Sequence, residues 1–222
     1  MARLCDVPAR ARTNPSAAPA SDPPLVFWHG SRAWHGPPTV RPGRAKRSEG
    51  GPGIYLTTSY RTASGYAKGG GVVQRVTVSP AVRWLEEATL RVRDVRAFLE
   101  SRPRLPKRAE LHSDITANVA RMAGRMDPEL IHAEVLVNVM VNVMVNRDAL
   151  KGEHGPALAE FLTQHGIDAS HAKSSYDEDW VVVFNPAVIL RMDPAPSRSV
   201  AGDQYDLPRV PRDDRGPRKP AV

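Results

Sequence analysis

Three short stretches carry side chains able to do chemistry, and each stands at one end of an apolar, strand-like run. The first is His29-Gly30-Ser31, after Leu25-Val26-Phe27-Trp28. A histidine offers one ring nitrogen as donor and the other as acceptor, and a glycine beside it leaves the backbone open to a planar ligand. The second pairs Tyr55, in Gly53-Ile54-Tyr55-Leu56-Thr57, with Tyr66 further along. Two phenol rings, one on a strand and one on the helix that follows, form a slot that stacks on an aromatic ring. The third is Tyr176-Asp177-Glu178-Asp179, directly before Trp180-Val181-Val182-Val183-Phe184. Acids crowded at the mouth of a buried strand repel one another unless a partner or ligand uses them. Each stretch also has a plain structural reading: a satisfied core histidine, packed core tyrosines, and solvated turn acids.

The elements that position these groups follow from pattern and punctuation. Strands are expected at Leu25–Trp28, at Gly53–Thr57 and over the alternating Val72-Gln74-Val76-Val78, with Pro80 ending the last. Thr58 or Ser59 caps a short helix carrying Ala63, Tyr66 and Ala67, which Gly69-Gly70-Gly71 stops. Val82–Leu85 reads as another short strand. The middle is helical: Asp94–Glu100, then Pro106–Met126 with Leu111, Ile115, Val119 and Met122 at helical spacing, then a start at Asp127-Pro128-Glu129. Val137-Asn138-Val139-Met140 repeats as Val141-Asn142-Val143-Met144; its alternation suits a strand and its flanks a helix, and the helix is preferred, with a packing role. Gly155–Gln164 is a helix closed by Gly166, and Trp180–Phe184 and Val188–Leu190 form a final strand pair. Strands first, helices in the middle and strands last describe an α+β domain rather than a doubly wound parallel sheet.

Composition narrows the field. The 222 residues suit one domain with tails. Residues 1–23 and 194–222 are rich in Pro, Arg, Asp, Ser and Ala, and both are expected to be disordered, the second as a basic tail. The single cysteine, Cys5, allows neither a disulfide framework nor a cysteine-based metal site. The N-terminal stretch lacks the apolar core of a signal peptide, and no apolar run is long enough to cross a membrane, so the expectation is cytoplasmic. Neither a Gly-x-Gly-x-x-Gly turn nor a P-loop is present. Net charge is +7, and the stretch from Arg32 to Arg47 carries five basic residues and no acid. Such a stretch attracts phosphates, whether of a dinucleotide or of a nucleic acid, or else is a solvated loop.

Taken in order, His-Gly-Ser, then Gly-Ile-Tyr with the second Tyr at its fixed spacing, then acid before an apolar strand, resemble the ADP-ribosyltransferases of the His-Tyr-Glu class. That class includes poly(ADP-ribose) polymerases and diphtheria-type toxins, and the nearer likeness is to small bacterial and phage domains. His165-Gly166-Ile167-Asp168-Ala169 is similar to the turn that precedes the acidic strand in those domains. The resemblance covers most of residues 25–190 and implies a domain over 24–193 with a split β-sheet core, peripheral helices and a helical insertion at about 94–150. It implies NAD as co-substrate, no metal, and a macromolecular acceptor that is protein or nucleic acid. His29 would then hydrogen-bond the adenosine-side ribose, and the Gly30 backbone would hold the nicotinamide amide, with Ser31 beside them. Tyr55 and Tyr66 would sandwich the nicotinamide, and an acid would bind the 2′-hydroxyl of the nicotinamide ribose.

Departures from the family pattern set the open choices. A serine usual three residues before the second Tyr is Ala63 here, and Ser64 or Thr62 stands in for it. The family acid falls four residues before the strand's closing aromatic, which is Trp180 counted from Phe184. The adjacent Asp179 is taken as the acid, with Glu178 second. An Asp in place of the usual Glu goes with mono- rather than poly-transfer. The activity implied is mono-ADP-ribosylation after cleavage of the nicotinamide–ribose bond. The alternatives are an NAD glycohydrolase, with water as acceptor, and an inactive NAD- or nucleic-acid-binding module if Trp180 itself holds the acid's place. Ser174 and Ser175 are candidates for orienting the acceptor.

Overall fold

The β-branched and aromatic run that opens the domain forms β1 (Leu25–Ser31), which lies inside an antiparallel sheet because both its edges find partners. The structure, a computed structural model, describes residues 22–32, 34, 36–43, 50–142, 149–173 and 177–210. Most of the leader, residues 211–222, most of the cationic end of the Arg32–Arg47 stretch, Val143 and Met144 of the Val-Asn-Val-Met repeat, and Ser174 and Ser175 lie outside the described residues. The other strands of the sheet are β2 (Ile54–Thr57), β3 (Val72–Val78), β6 (Ala169–Lys173), β7 (Asp179–Val183) and β8 (Ile189–Pro194). Their order is β6-β7-β2-β1-β3-β8. A small second sheet pairs β4 (Thr89–Arg91) with β5 (Leu130–His132).

The large sheet is nearly two sheets. β1 runs in register with β3 from Leu25↔Val78 to Ser31↔Val72, but it pairs with β2 only at Trp28↔Thr57. Beyond that pair the strands separate, so β6-β7-β2 and β1-β3-β8 are two halves joined at a point. Alternation assigns the faces. Phe27, Ile54, Leu56, Val76, Val78, Val181 and Val183 bury themselves on one face. On the other, Trp28 and Val73 pack against α1 (Tyr60–Tyr66), while Tyr55, Val182 and Phe184 pack toward a helical cluster. That cluster comprises α2 (Val92–Ser101), α3 (Arg108–Met122), α4 (Ala133–Val141) and α5 (His154–Gln164), with Leu99, Leu111, Ile115, Leu136 and Leu158 fully buried. The α+β expectation holds, and α4 takes Val137–Met140 into a helix as its flanks suggest.

Three local expectations are corrected. Asp127-Pro128-Glu129 does not start a helix: the Asp127 carboxylate accepts from the Glu129 N–H at 2.9 Å and its carbonyl from Leu130 N–H at 2.9 Å, a turn that launches β5. The helix begins at Ala133 instead. Val82–Leu85 contributes one bridge, Trp84 to Ala169, before a 3₁₀ turn at Leu85–Glu87. The tail expected to be disordered from 194 packs as far as 210: Ala195 and Val210 are buried and Tyr205 sets its ring edge against Tyr60 at 4.8 Å. Average composition hides these few anchors, each of which finds a place in a cluster.

The α5–β6 connection is built for rigidity. Gly166, at φ +78°, follows α5, with Gly166 N–H bonded to Thr163 O and Ile167 N–H to Leu162 O, a closure favoured by glycine. Asp168 then accepts from Arg83 N at 3.1 Å, Arg83 Nε at 3.3 Å and Asn185 Nδ2 at 2.7 Å. This ties the start of β6 to the end of β7, and with it the hairpin that carries the acids.

Candidate functional site

His29 stands where the two halves of the sheet part. Its Nδ1 lies 2.8 Å from the Tyr55 carbonyl oxygen, so the imidazole takes up an acceptor on β2 that a continuing β1–β2 ladder would otherwise occupy. A carbonyl only accepts, which puts the proton on Nδ1 and leaves Nε2 with a free lone pair. Among the described residues, buried Nε2 has no hydrogen-bond partner. Burial holds the ring's pKa below its ordinary 6.5, the Tyr55 bond opposes this, and Arg41 adds to the lowering. The ring is therefore neutral at pH 7 and an acceptor at Nε2. Trp34 meets it edge-on at 4.9 Å, with Arg41 over the Trp34 ring.

Gly30, the next residue, is fixed by packing. A Cβ placed there would sit 1.7 Å from the Ala63 carbonyl oxygen, so α1 lies directly on the β1 backbone. Ser59 caps α1 by accepting from Thr62 N. Ser31, half-buried, closes β1 opposite Val72. Tyr55, also half-buried, donates its hydroxyl to Gly51 O at 2.7 Å and accepts from Gly50 N at 3.2 Å. Tyr66 ends α1 with 59% of its surface exposed, and its ring stands edge-on to Trp180 at 5.9 Å. The register pairs Tyr55 with Val182 and Thr57 with Trp180, so Tyr55, Thr57 and Trp180 share one face of the sheet. The structure thus brings Tyr66 against Trp180, while Tyr55 lies two residues from Thr57 on the same face and packs toward the helical cluster.

The two candidate acids go to different places. Glu178, 7% exposed, lies on the Trp180 side: its Oε2 accepts from Thr57 Oγ1 at 2.9 Å and its Oε1 from Trp180 Nε1 at 3.0 Å. Asp179, 1% exposed, shares the opposite face with Val181 and Val183. There its Oδ2 accepts from Val210 N–H at 2.9 Å and lies 3.3 Å from His171 Nε2. Strand alternation sets Asp179 on the face of Phe27 and His29, and Glu178 on the face of Thr57 and Trp180, so the two acids reach different sides of the sheet. The Ser64 hydroxyl bonds back to Arg61 O at 2.8 Å, and the residue lines a groove with Val73 and Ala195. Thr62, four residues before Tyr66, lies on the Tyr66 side of the helix.

Sequence reasoning missed Thr57 as a partner of the acid. The signal was present: Thr57 is the last residue of β2, and a threonine ending a strand beside the acidic one has a hydroxyl to give. Among the described residues, no group of His, Cys, Asp and Glu is arranged to hold a metal ion, and no helix is long and apolar enough to cross a membrane. No protein-family model, curated protein or solved structure matches the chain.

Proposed function

We infer that the chain is a cytoplasmic mono-ADP-ribosyltransferase, which cleaves NAD at the nicotinamide–ribose bond and passes ADP-ribose to a macromolecular acceptor, protein or nucleic acid. The observation that carries this reading is His29: a neutral imidazole wedged at the point where a split sheet opens, its Nδ1 tied to the backbone of Tyr55 and its Nε2 left to accept a ribose hydroxyl. The sheet's division into halves joined at Trp28↔Thr57 supports the ADP-ribosyltransferase-like fold. Tyr55, Tyr66 and Glu178 gathered on one side supply the rest of the set.

In this reading Tyr55 and Tyr66 flank the nicotinamide, and the Gly30 backbone takes its amide. The C1′–N bond breaks with its electron pair leaving on nicotinamide, and positive charge develops on the ribose. A carboxylate beside the sugar stabilises that charge more in the transition state than in the ground state. Glu178 fills this role here in place of Asp179. The acceptor nucleophile then adds at C1′ and gives up its proton.

One observation favours a second reading. Trp180 stands where the family acid falls, and both oxygens of Glu178 already accept hydrogen bonds, which suits an inactive NAD-binding module. Incubation with NAD labelled in its adenylate half separates the readings. Transfer gives free nicotinamide and a labelled macromolecule, hydrolysis gives nicotinamide and free ADP-ribose, and an inactive module gives neither. Absence of NAD binding by calorimetry would sink all three.

A further inference from the structure

Glu178 precedes β7, and the residues that grip the loop around it come from the far end of the chain. Tyr60 N–H donates to Tyr205 O at 2.7 Å and Leu207 N–H to Thr58 O at 2.9 Å, which lays the segment along the β2–α1 junction. Arg209 then reaches Asp177: its guanidinium lies 2.8 Å from the carboxylate and also donates to the Asp177 carbonyl. Asp177 has φ +62°, in the left-handed region that aspartate adopts more readily than most non-glycine residues. Next, Val210 N–H donates to Asp179 Oδ2 at 2.9 Å, and the Val210 side chain is buried beside Val181 and Val183. Asp179 is further fixed by its N–H on Thr58 Oγ1 at 3.0 Å, and His171 lies behind it with its own N–H on Glu86 Oε1 at 2.8 Å.

Of the two sequence neighbours of Glu178, Asp179 is therefore gripped by buried Val210 and Asp177 is paired at the surface with Arg209, and the acid between them points the other way, to Thr57 and Trp180. We propose that residues 205–210 are a positioning strap for Glu178. Arg209 and Val210 hold Asp177 and Asp179 from behind, so the intervening carboxylate is presented to the cleft at a set depth. The proposal rests on the reading of Glu178 as the catalytic acid. It assigns Asp179 a positioning role, which explains an acid buried on the face away from the tyrosines.

The test uses the full chain with Arg209→Ala, Arg209→Lys, Val210→Pro and Val210→Ala. Proline at 210 removes the N–H that Asp179 accepts, whereas alanine keeps it. Two readouts are taken: kcat and KM for nicotinamide release from NAD, and hydrogen–deuterium exchange of the 177–183 amides without NAD. Expected are a roughly tenfold loss of kcat in Arg209→Ala and Val210→Pro, KM within about twofold, and faster exchange across 177–183. Arg209→Lys and Val210→Ala should recover most of both. Unchanged exchange in Arg209→Ala and Val210→Pro overturns the strap, as does faster exchange with unchanged kcat. If the unmutated chain releases no nicotinamide, the reading of Glu178 as catalytic fails, and faster exchange in the two variants still upholds the strap's grip on the loop.

Discussion

Replacing the two adjacent acids one at a time should separate chemistry from folding. In Glu178→Gln the shape is kept and the charge is lost. A carboxylate about 4 Å from a sugar cation, at an effective dielectric near 20, is worth roughly 4 kcal/mol. Loss of a preorganised electrostatic group elsewhere costs about 3–4 kcal/mol in the transition state. The expected fall in kcat is therefore about 10²- to 10³-fold. An amide oxygen still accepts from Thr57 or Trp180 but not from both, a loss of about 1–2 kcal/mol in stability. At about 2–4 °C per kcal/mol for a chain of this size, Tm should fall by no more than about 8 °C.

Asp179→Asn should do the reverse. The side chain is 1% exposed and accepts from Val210 N–H with His171 beside it. Disturbing a buried, hydrogen-bonded carboxylate of this kind costs about 1–3 kcal/mol, which lowers Tm by roughly 2–12 °C. Turnover of the folded fraction should stay within about tenfold of the unmutated chain, since the carboxylate faces away from Tyr66. The assay is nicotinamide release from NAD at a temperature where melting curves show both variants fully folded. A larger kcat loss in Asp179→Asn than in Glu178→Gln under those conditions would refute the assignment of faces.

The His29 pKa lies below 6.5, so affinity for NAD should be flat above pH 7 and fall as acid protonates Nε2; His29→Ala should bind about tenfold more weakly by calorimetry and lose that pH dependence. The same lowered pKa means the unfolded chain takes up the proton first, so this residue makes folding less favourable as pH drops below 6.5, which acid titration of Tm would register. Trp180→Phe keeps a ring against Tyr66 but removes the N–H on Glu178, and kcat should drop about tenfold with KM little changed. Gly30→Ala drives a methyl into the Ala63 carbonyl, so Tm should fall by about 4–12 °C, from roughly 2–3 kcal/mol of strain; a shift below about 1 °C would disprove the close approach of α1.

The strands and helices were legible where one local signal ruled. β1 and β3 read directly from apolar, β-branched runs, α1 from its Ser59 cap, and the end of α5 from Gly166. The elements that misled were those where a side chain competed with the pattern, as Asp127 did by bonding its own neighbours' N–H groups. The packed segment up to Val210 was hidden for a different reason. Its apolar residues are spaced too widely to form a face, and they are ordered by clusters already built from residues far away in the chain.

The acid could not be assigned from sequence because the decision depends on parity. In a strand, neighbouring side chains point to opposite faces, so a shift of one residue exchanges cleft for core. Glu178, Asp179 and Trp180 are consecutive, and each is chemically compatible with either face. Register decides between them: Val181 and Val183 go to the apolar face with Ile54 and Leu56, which sends Asp179 the same way. Trp180 must then face Tyr66, and Glu178, two residues before it, follows. The four apolar residues after the acids therefore contained the answer, but only once it was known which of them meets β2. That knowledge comes from the β2–β7 register, in which Thr57 meets Trp180 and Leu56 meets Val181, whereas the place of His29 follows from the single β1–β2 pair at Trp28↔Thr57. Two registers therefore set the site, one placing the histidine and the other the acid, so the His29 and Glu178 variants test two separate structural premises.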